Sequence, residues 1–282
     1  NFCSYCIVPY VRGPERSRDA HEVAAQVETL VADGVREITL LGQNVNAYGL
    51  DLRGRGEAGA PAFPELLARL DAIEGLDRIR FMTSHPRDLG DDLVVAVAEL
   101  PSVCEHVHLP AQAGSDRILR AMRRGYTSGE YLERVHALRS AVPDVSVTTD
   151  LIAGFPGETD DDFERTVDLV REARFDAAFT FVYSPRSGTR AADLPDQVPK
   201  EVRTDRVERL IDLTQQQALA SHRAWVGRTA EVLVEGASRD GEQHRGRTRQ
   251  NVTVNIAGAA EPGAIVAVEI TAATSTTLRG TV

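Results

Sequence analysis

The sequence predicts an α/β chain: a parallel β/α unit of TIM-like barrel form, followed by a small all-β domain. Three observations predict it. Helical and strand patterns alternate from about residue 18 to 182. Each strand-like run is closed by a polar, Gly- or Pro-rich segment, which places functional loops at the same end of every strand. After Trp225-Val226-Gly227 the helical periodicity stops and short β-prone runs take over.

Asp19 followed by Glu22 is a capping-box pattern, and Val23, Val27, Leu30 and Val31 then share one helical face until Gly34. The apolar run 37–41 reads as a buried strand. Helices near 63–74, 88–99, 115–141 and 159–173 lead to strands at 78–82, 104–109, 145–150 and 177–182. Strands separated by helices are parallel, with right-handed crossovers, and their nearly continuous apolar character fits a sheet covered by helices. Polar loops after every strand favour a barrel over a doubly wound sheet, whose ligands gather at one crevice. Residues 53–62 read as a surface loop, and 199–223 as a long amphipathic helix. The runs 230–234, 252–256 and 265–270, separated by turn residues, read as a small barrel or sandwich.

Composition narrows the class. The 282 residues are 42% hydrophobic and 26% charged, as in an ordinary globular protein, and no apolar run is long enough to span a bilayer. We expect no membrane association and a cytoplasmic location. The formal charge of −10 is uneven: residues 219–282 carry seven Arg against six Asp and Glu, the remainder 25 basic against 36 acidic residues. An Arg-bearing tail on an acidic body can still meet RNA through a local patch. Three cysteines make no disulfide framework and suit a reducing compartment.

Cys3 and Cys6 form a Cys-x-x-Cys ahead of the first helix. That spacing alone is shared by zinc, redox and iron–sulfur sites. A redox pair wants a helix immediately after it, which Pro9, Gly13 and Pro14 delay.

The context is more specific. Asn1-Phe2-Cys3-Ser4-Tyr5-Cys6-Ile7-Val8-Pro9 resembles the cluster loop of the radical-SAM methylthiotransferases. Leu41-Gly42-Gln43-Asn44-Val45-Asn46, Phe81-Met82-Thr83-Ser84-His85-Pro86, His108-Leu109-Pro110-Ala111-Gln112-Ala113-Gly114-Ser115 and Asp150-Leu151-Ile152-Ala153-Gly154-Phe155-Pro156-Gly157-Glu158 are similar to further loops of that family. The resemblance runs through essentially the whole chain. It implies an incomplete radical-SAM barrel (1–218) lacking its first strand, then a TRAM-like RNA-binding β-barrel (219–282).

In that family three cysteines, spaced Cys-x-x-x-Cys-x-x-Cys, hold one [4Fe–4S] cluster and leave an iron open for S-adenosylmethionine. Cys3 and Cys6 match the second and third, so the first is expected four residues before Cys3 and the chain is expected to begin mid-protein. By the same resemblance Tyr5 flanks the adenine, the region of Gln43 and Asn44 lies near the methionine end, and Ser84, Gln112, Gly154 and Gly157 also contact the cofactor. Ala113 departs from the family's usual Ser. The Gly154–Gly157 stretch has an equally simple reading as a strand-to-helix turn capped by Thr159.

The wording 43–46 is similar to the branch that installs a methylthio group at C2 of N6-dimethylallyladenosine beside the tRNA anticodon. A sister branch acting on threonylcarbamoyl-adenosine or a ribosomal protein, or a non-catalytic RNA-binding remnant, is the alternative. The resemblance further implies a second [4Fe–4S] cluster in an N-terminal domain outside the chain, an electron donor such as flavodoxin or ferredoxin, a monomer, and an inactive fragment. Arg245, Arg247 and Arg249 alternate, so an extended strand would align them on one face toward phosphates of the tRNA anticodon stem-loop, or simply toward solvent. His85 is read as a turn stabiliser or a ligand contact. His106 and His108 are read as interior packing, and Cys104 as a buried small residue.

Overall fold

The computed structural model describes residues 3–57, 59–82, 84–238, 241 and 243–282. Asn1, Phe2 and Thr83, quoted above within motifs, lie outside the described residues.

The first unit runs α1 (Val8–Arg12), α2 (Ala20–Ala32), β1 (Glu37–Leu41), α3 (Leu50–Gly54), α4 (Phe63–Asp71), β2 (Arg78–Met82), α5 (Asp91–Glu99), β3 (His106–His108), α6 (Asp116–Met122), α7 (Ser128–Ala141), β4 (Ser146–Ala153), α8 (Asp160–Ala173) and β5 (Ala177–Val182). Every strand pairing in it is parallel: β1 with β2, and β3–β4–β5. A bridge between Ile79 and Val103 joins the two groups, with Ile79 N donating to Ser102 O at 2.7 Å and Cys104 N to Ile79 O at 3.0 Å. The result is an open arc of parallel strands, a partial TIM-like barrel, with β1 and β5 unpaired to each other among the described residues.

Local chemistry sets the helix starts. Asp19 caps α2 by accepting from His21 N and Glu22 N at 2.8 and 3.2 Å. Thr127 and Glu130 close a reciprocal box at α7, as Thr159 and Asp162 do at α8. The outer face of the arc is buried against helices: Ile79, Phe81, Val107, Leu109, Val147 and Leu151 are each 0–1% exposed. Phe63 of α4 packs edge-on against Phe81, centroids 5.2 Å apart. The two short elements α1 and α3 are absent from the sequence reading, which left 53–62 irregular. A single helical turn carries too little periodicity to register.

Helix α9 (Lys200–Arg223) follows as one rod. The expected domain boundary at 218/219 falls inside it, and the barrel strands begin only at β6 (Thr229–Ala237). Then come β7 (His244–Thr248), β8 (Thr253–Ala257), β9 (Ile265–Ala273) and β10 (Thr277–Thr281), closed in the order β10–β8–β7–β6–β9. Alternate residues fill the interior, among them Val232, Val254, Ile256, Val268, Ile270 and Leu278. Closure leaves no strand edge open. Three of these five strands are the runs read from the sequence. β7 and β10 are too polar for hydrophobic alternation to reveal.

The two units interlock at the N-terminal ends of the arc's strands. Arg78, fully buried, donates to Arg247 O at 2.8 Å and to Glu231 Oε1 at 2.8 Å. Arg80 donates to Arg249 O at 2.8 Å and Thr248 O at 2.7 Å, and pairs with Glu37 at 3.0 Å. In return Arg249 reaches Glu105 at 2.8 Å, Val103 O at 2.7 Å and Pro101 O at 2.9 Å. The buried guanidinium groups of Arg78 and Arg80 persist because their terminal nitrogens meet backbone carbonyls and carboxylates, while the Nε of each has no hydrogen-bond partner.

Candidate active site

The opposite, C-terminal ends of the strands gather the loops singled out in the sequence. Cys3 and Cys6 lie half-buried in a tight turn in which Cys6 N donates to Cys3 O at 3.2 Å. Ser4, buried between them, fixes that turn. Its N donates to Met122 O at 3.0 Å, its Oγ to Ala121 O at 2.8 Å, and its carbonyl accepts from Ala191 N at 2.9 Å. The turn is thereby tied both to the end of α6 and to the segment after β5.

Beneath it lies Arg124, 7% exposed, donating from Nη1 to Cys3 Sγ at 3.3 Å, from Nε to Tyr126 Oη at 3.0 Å and from Nη2 to Pro110 O at 3.2 Å. Tyr126 Oη donates in turn to Ala111 O at 2.9 Å. The His85 ring stands edge-on to Tyr126 with centroids 5.6 Å apart. Burial, helped by the Arg124 charge, pulls His85 down to about 3, so it is neutral at physiological pH. Its Nδ1 accepts from Arg87 N at 3.3 Å, and Asn46 clamps its backbone through bonds of 2.9 and 3.0 Å. His85 therefore shapes its turn.

Gln112 is buried with φ 69°, a left-handed conformation rare for a side chain with Cβ. Its N donates to Asp150 O at 2.8 Å and its O accepts from Ile152 N at 2.9 Å, which docks the loop after β3 onto β4. Just past β4, Gly154 adopts φ 78°, and a Cβ there would sit 2.0 Å from Arg203 Cγ. The space the sequence reading reserved for cofactor approach at Gly154 is taken by Arg203, which donates to Tyr183 O at 2.6 Å. At Gly157 (φ 77°) the nearest atom to such a Cβ is Arg117 Nη1, at 3.8 Å. Glu158 closes the turn by accepting from Gly154 N at 2.7 Å and from Arg206 Nη1 at 2.7 Å. Burial raises its carboxyl pKa, against those two contacts.

Tyr5 stands edge-on to Phe155 (6.4 Å), and Phe155 to Tyr183 (5.4 Å), linking the cysteine turn to the ends of β4 and β5. Burial, opposed by Arg124, pushes the Tyr5 hydroxyl pKa up. Ser84 Oγ and the Tyr183 hydroxyl are buried without hydrogen-bond partners. Two half-buried thiols, a buried cation touching one of them and two orphaned hydroxyls fit a thiolate-ligated cluster with a polar ligand above it. Among the described residues no set of three or more His, Cys, Asp or Glu could hold a metal ion; Cys3 and Cys6 would offer two of the thiolates that such a cluster takes.

Gln43 and Asn44 stand apart. Gln43 is exposed, and Asn44 donates to Asp88 Oδ2 at 2.7 Å. Both line a cavity of about 740 Å³ beside β1, together with Arg18, Val27 and Leu40, whose wall includes none of Cys3, Cys6, Gln112 or Gly154. The chemistry-bearing residues thus lie outside this cavity. Cys104 is buried near Arg80 and Arg249, and burial pushes its thiol pKa up.

The concave face of the arc continues below these loops. His106 Nε2 and His108 Nδ1 both meet Thr148 Oγ1, at 3.2 and 3.0 Å, and His108 Nε2 lies 3.5 Å from Asp150 Oδ1. In register with Asp150 and Ile152 on β4 are Phe179 and Phe181 on β5. Phe179 meets the His108 ring edge-on at 6.1 Å.

On the tail barrel, Arg245 and Arg247 both face Glu235, at 3.4 and 2.7 Å. Arg249 lies beyond β7 and turns into the domain interface, so the three arginines do not form one exposed row. Sequence reasoning missed Ser4, Arg124, Tyr126, Glu158, Arg203 and Arg206. Ser4, inside the cysteine turn itself, and Glu158, within the quoted Gly-Phe-Pro-Gly-Glu wording, carried a local signal. Arg124, Tyr126, Arg203 and Arg206 sit far from the cysteine turn in sequence.

The model of the Radical SAM superfamily matches residues 1–170, and that of the TRAM domain residues 223–282. Among curated relatives, the tRNA-2-methylthio-N(6)-dimethylallyladenosine synthase of Caldicellulosiruptor saccharolyticus is 53% identical over 91% of this chain and 53% of its own length. The proteins of the same name from Carboxydothermus hydrogenoformans and Moorella thermoacetica are each 53% identical, over 96% and 99% of this chain and 61% and 62% of theirs. The chain spans between half and two thirds of the length of these relatives. Among solved structures, the radical S-adenosylmethionine methyltransferase TsrM from Kitasatospora setae superposes with TM-score 0.54 at 16% identity, over 68% of this chain and 36% of its own. Coproporphyrinogen III oxidase from Escherichia coli does so with TM-score 0.50 at 14% identity, over 88% of this chain and 64% of its own. At such identities the superpositions speak for the fold.

Proposed function

The chain belongs to the Radical SAM superfamily, with a TRAM domain behind its partial barrel, and from that premise we propose that it is the larger part of a tRNA methylthiotransferase acting at C2 of N6-dimethylallyladenosine beside the anticodon. The observation that carries the reading is the cysteine turn. Ser4 hooks Cys3 and Cys6 over the ends of the parallel strands, within reach of Arg124 and of the Tyr5–Phe155–Tyr183 aromatic run.

Superfamily membership implies a [4Fe–4S] cluster and S-adenosylmethionine. When bound, the pair supplies one-electron chemistry that can reach an unactivated adenine carbon, where acid–base catalysis has no foothold. Cys3 and Cys6 would hold the cluster. Ser84 and Tyr183, whose buried hydroxyls lack hydrogen-bond partners, and the buried Gln112 would contact the cofactor. A second cluster outside the chain, tRNA as substrate, a flavodoxin- or ferredoxin-type donor and a monomeric state belong to the same proposal, as do the RNA contacts of Arg245 and Arg247. No helix among the described residues is long and apolar enough to cross a membrane.

The names of the relatives support this substrate, and the wording of residues 43–46 favours it over a sister substrate. The test is anaerobic reconstitution of the full-length enzyme that contains this chain with iron and sulfide, incubation with S-adenosylmethionine, a reductant and a prenylated anticodon stem-loop, then nucleoside mass spectrometry. A 2-methylthio product is expected. Iron-free, colourless protein would sink the reading.

A further inference from the structure

The concave face holds a pattern that neither the cysteine turn nor the domain interface uses. Its centre is polar, built from His106, Thr148, His108 and Asp150. Its β5 margin is apolar and uncovered, with Phe179 57% and Phe181 50% exposed. Large aromatic side chains inside a barrel are ordinarily buried, so two half-open rings there mark a surface waiting for an apolar partner.

Position makes that surface relevant to the reaction. β5 runs straight into Tyr183, which contacts Phe155 and through it Tyr5 between the cysteines. Beyond Tyr183 the chain returns to the turn itself, where Ala191 N donates to Ser4 O at 2.9 Å. The strand that carries the aromatic pair is therefore tied at its C-terminal end to the cysteine turn. The register Asp150↔Phe179 and Ile152↔Phe181 sets a carboxylate and a branched aliphatic side chain beside the two rings.

Resting on the reading above, we propose that Phe179 and Phe181 form, with Ile152, the subsite that receives the prenyl-bearing adenine of the substrate RNA, while the Asp150–His108 pair faces the polar edge of the base. The chemistry is complementary. Aromatic faces stack on a purine and pack a branched five-carbon chain, and a carboxylate accepts from the single remaining N6–H. An adenosine lacking the chain leaves the apolar margin wet and loses the discrimination.

The test compares two anticodon stem-loops, one carrying dimethylallyl-adenosine and one plain adenosine, on the intact cluster-loaded enzyme and its Phe179→Ala and Phe181→Ala variants. Equilibrium binding by fluorescence anisotropy and single-turnover rates are both read. Each variant is expected to lose at least about tenfold in preference for the prenylated RNA, the size of effect an apolar subsite provides. S-adenosylmethionine affinity should stay unchanged. Phe181→Leu, which keeps an apolar filler, should retain most of the preference, and near-wild-type melting of each variant excludes simple unfolding. If the wild type discriminates and the alanine variants discriminate equally well, the subsite assignment is overturned and the enzyme reading stands. If the wild type methylthiolates neither RNA, the enzyme reading fails and the subsite with it.

Discussion

Arg124 and Cys3 meet 121 residues apart in sequence, the guanidinium Nη1 donating to the cysteine Sγ at 3.3 Å. The arginine is held from behind by Tyr126 and Pro110, so its charge cannot swing away from the thiol. A buried cation fixed against a cluster ligand favours whichever state of the cluster is more negative.

Replacing Arg124 by Gln in the cluster-loaded enzyme should therefore move the cluster's reduction potential to more negative values. A potentiometric titration followed by electron paramagnetic resonance measures it. A potential identical to that of the wild type would show that the guanidinium does not act on the cluster.

At the other end of the barrel, Arg249→Ala removes the bonds to Glu105, Val103 O and Pro101 O. The loss should cost about 1–3 kcal/mol of interdomain stability, the usual worth of charge-assisted bonds in a partly exposed site. Differential scanning calorimetry should show the two domains melting less cooperatively. An unchanged single transition would argue that the Arg78 and Arg80 contacts suffice alone.

Gly154→Ala places a Cβ on the aliphatic stem of Arg203 and forces a positive φ on alanine. We expect a loss of about 2 kcal/mol or more, with the left-handed backbone contributing about 1–2 of it. Arg203→Ala in the same chain should relieve the steric part only. Urea unfolding of the two single variants and the double variant separates these contributions. Strictly additive effects would rule out the contact.

His106 supplies a pH dependence. Burial first, then Arg80, His108 and Arg247, pulls its pKa from 6.5 down to about 3. The unfolded chain takes up a proton below about 6.5 that the folded chain refuses, so the native state loses stability as pH falls from there toward 3. The slope contributed is at most about 1.4 kcal/mol per pH unit. Unfolding free energies at pH 7 and pH 5 should diverge less in His106→Gln than in the parent. Equal divergence would place the acid sensitivity elsewhere.

Some of this was written in the chain itself. The alternation of apolar strands with capped helices foretold the parallel arc, because burial on the outer face demands Ile79, Phe81, Val107 and Leu151 wherever a helix lies over a strand. The left-handed turns at Gly154 and Gly157 were legible because backbone conformation restricts residue type locally, whereas the filling of the space at Gly154 by Arg203 was not. The reading of Arg245, Arg247 and Arg249 as one row shows the limit. Alternation settles which face a side chain leaves from, but not that another domain waits opposite Arg249.

What the sequence determined, then, is the order of the longer helices and apolar strands and the residues each loop brings, since both follow from short-range periodicity and backbone preference. Only the tertiary structure decided that Arg124 reaches Cys3, that Arg203 fills the space above Gly154, and that two phenylalanines stand uncovered beside Asp150. Those relationships join segments far apart in the chain, and they depend on how packed layers close in space, a property that no local window of residues encodes.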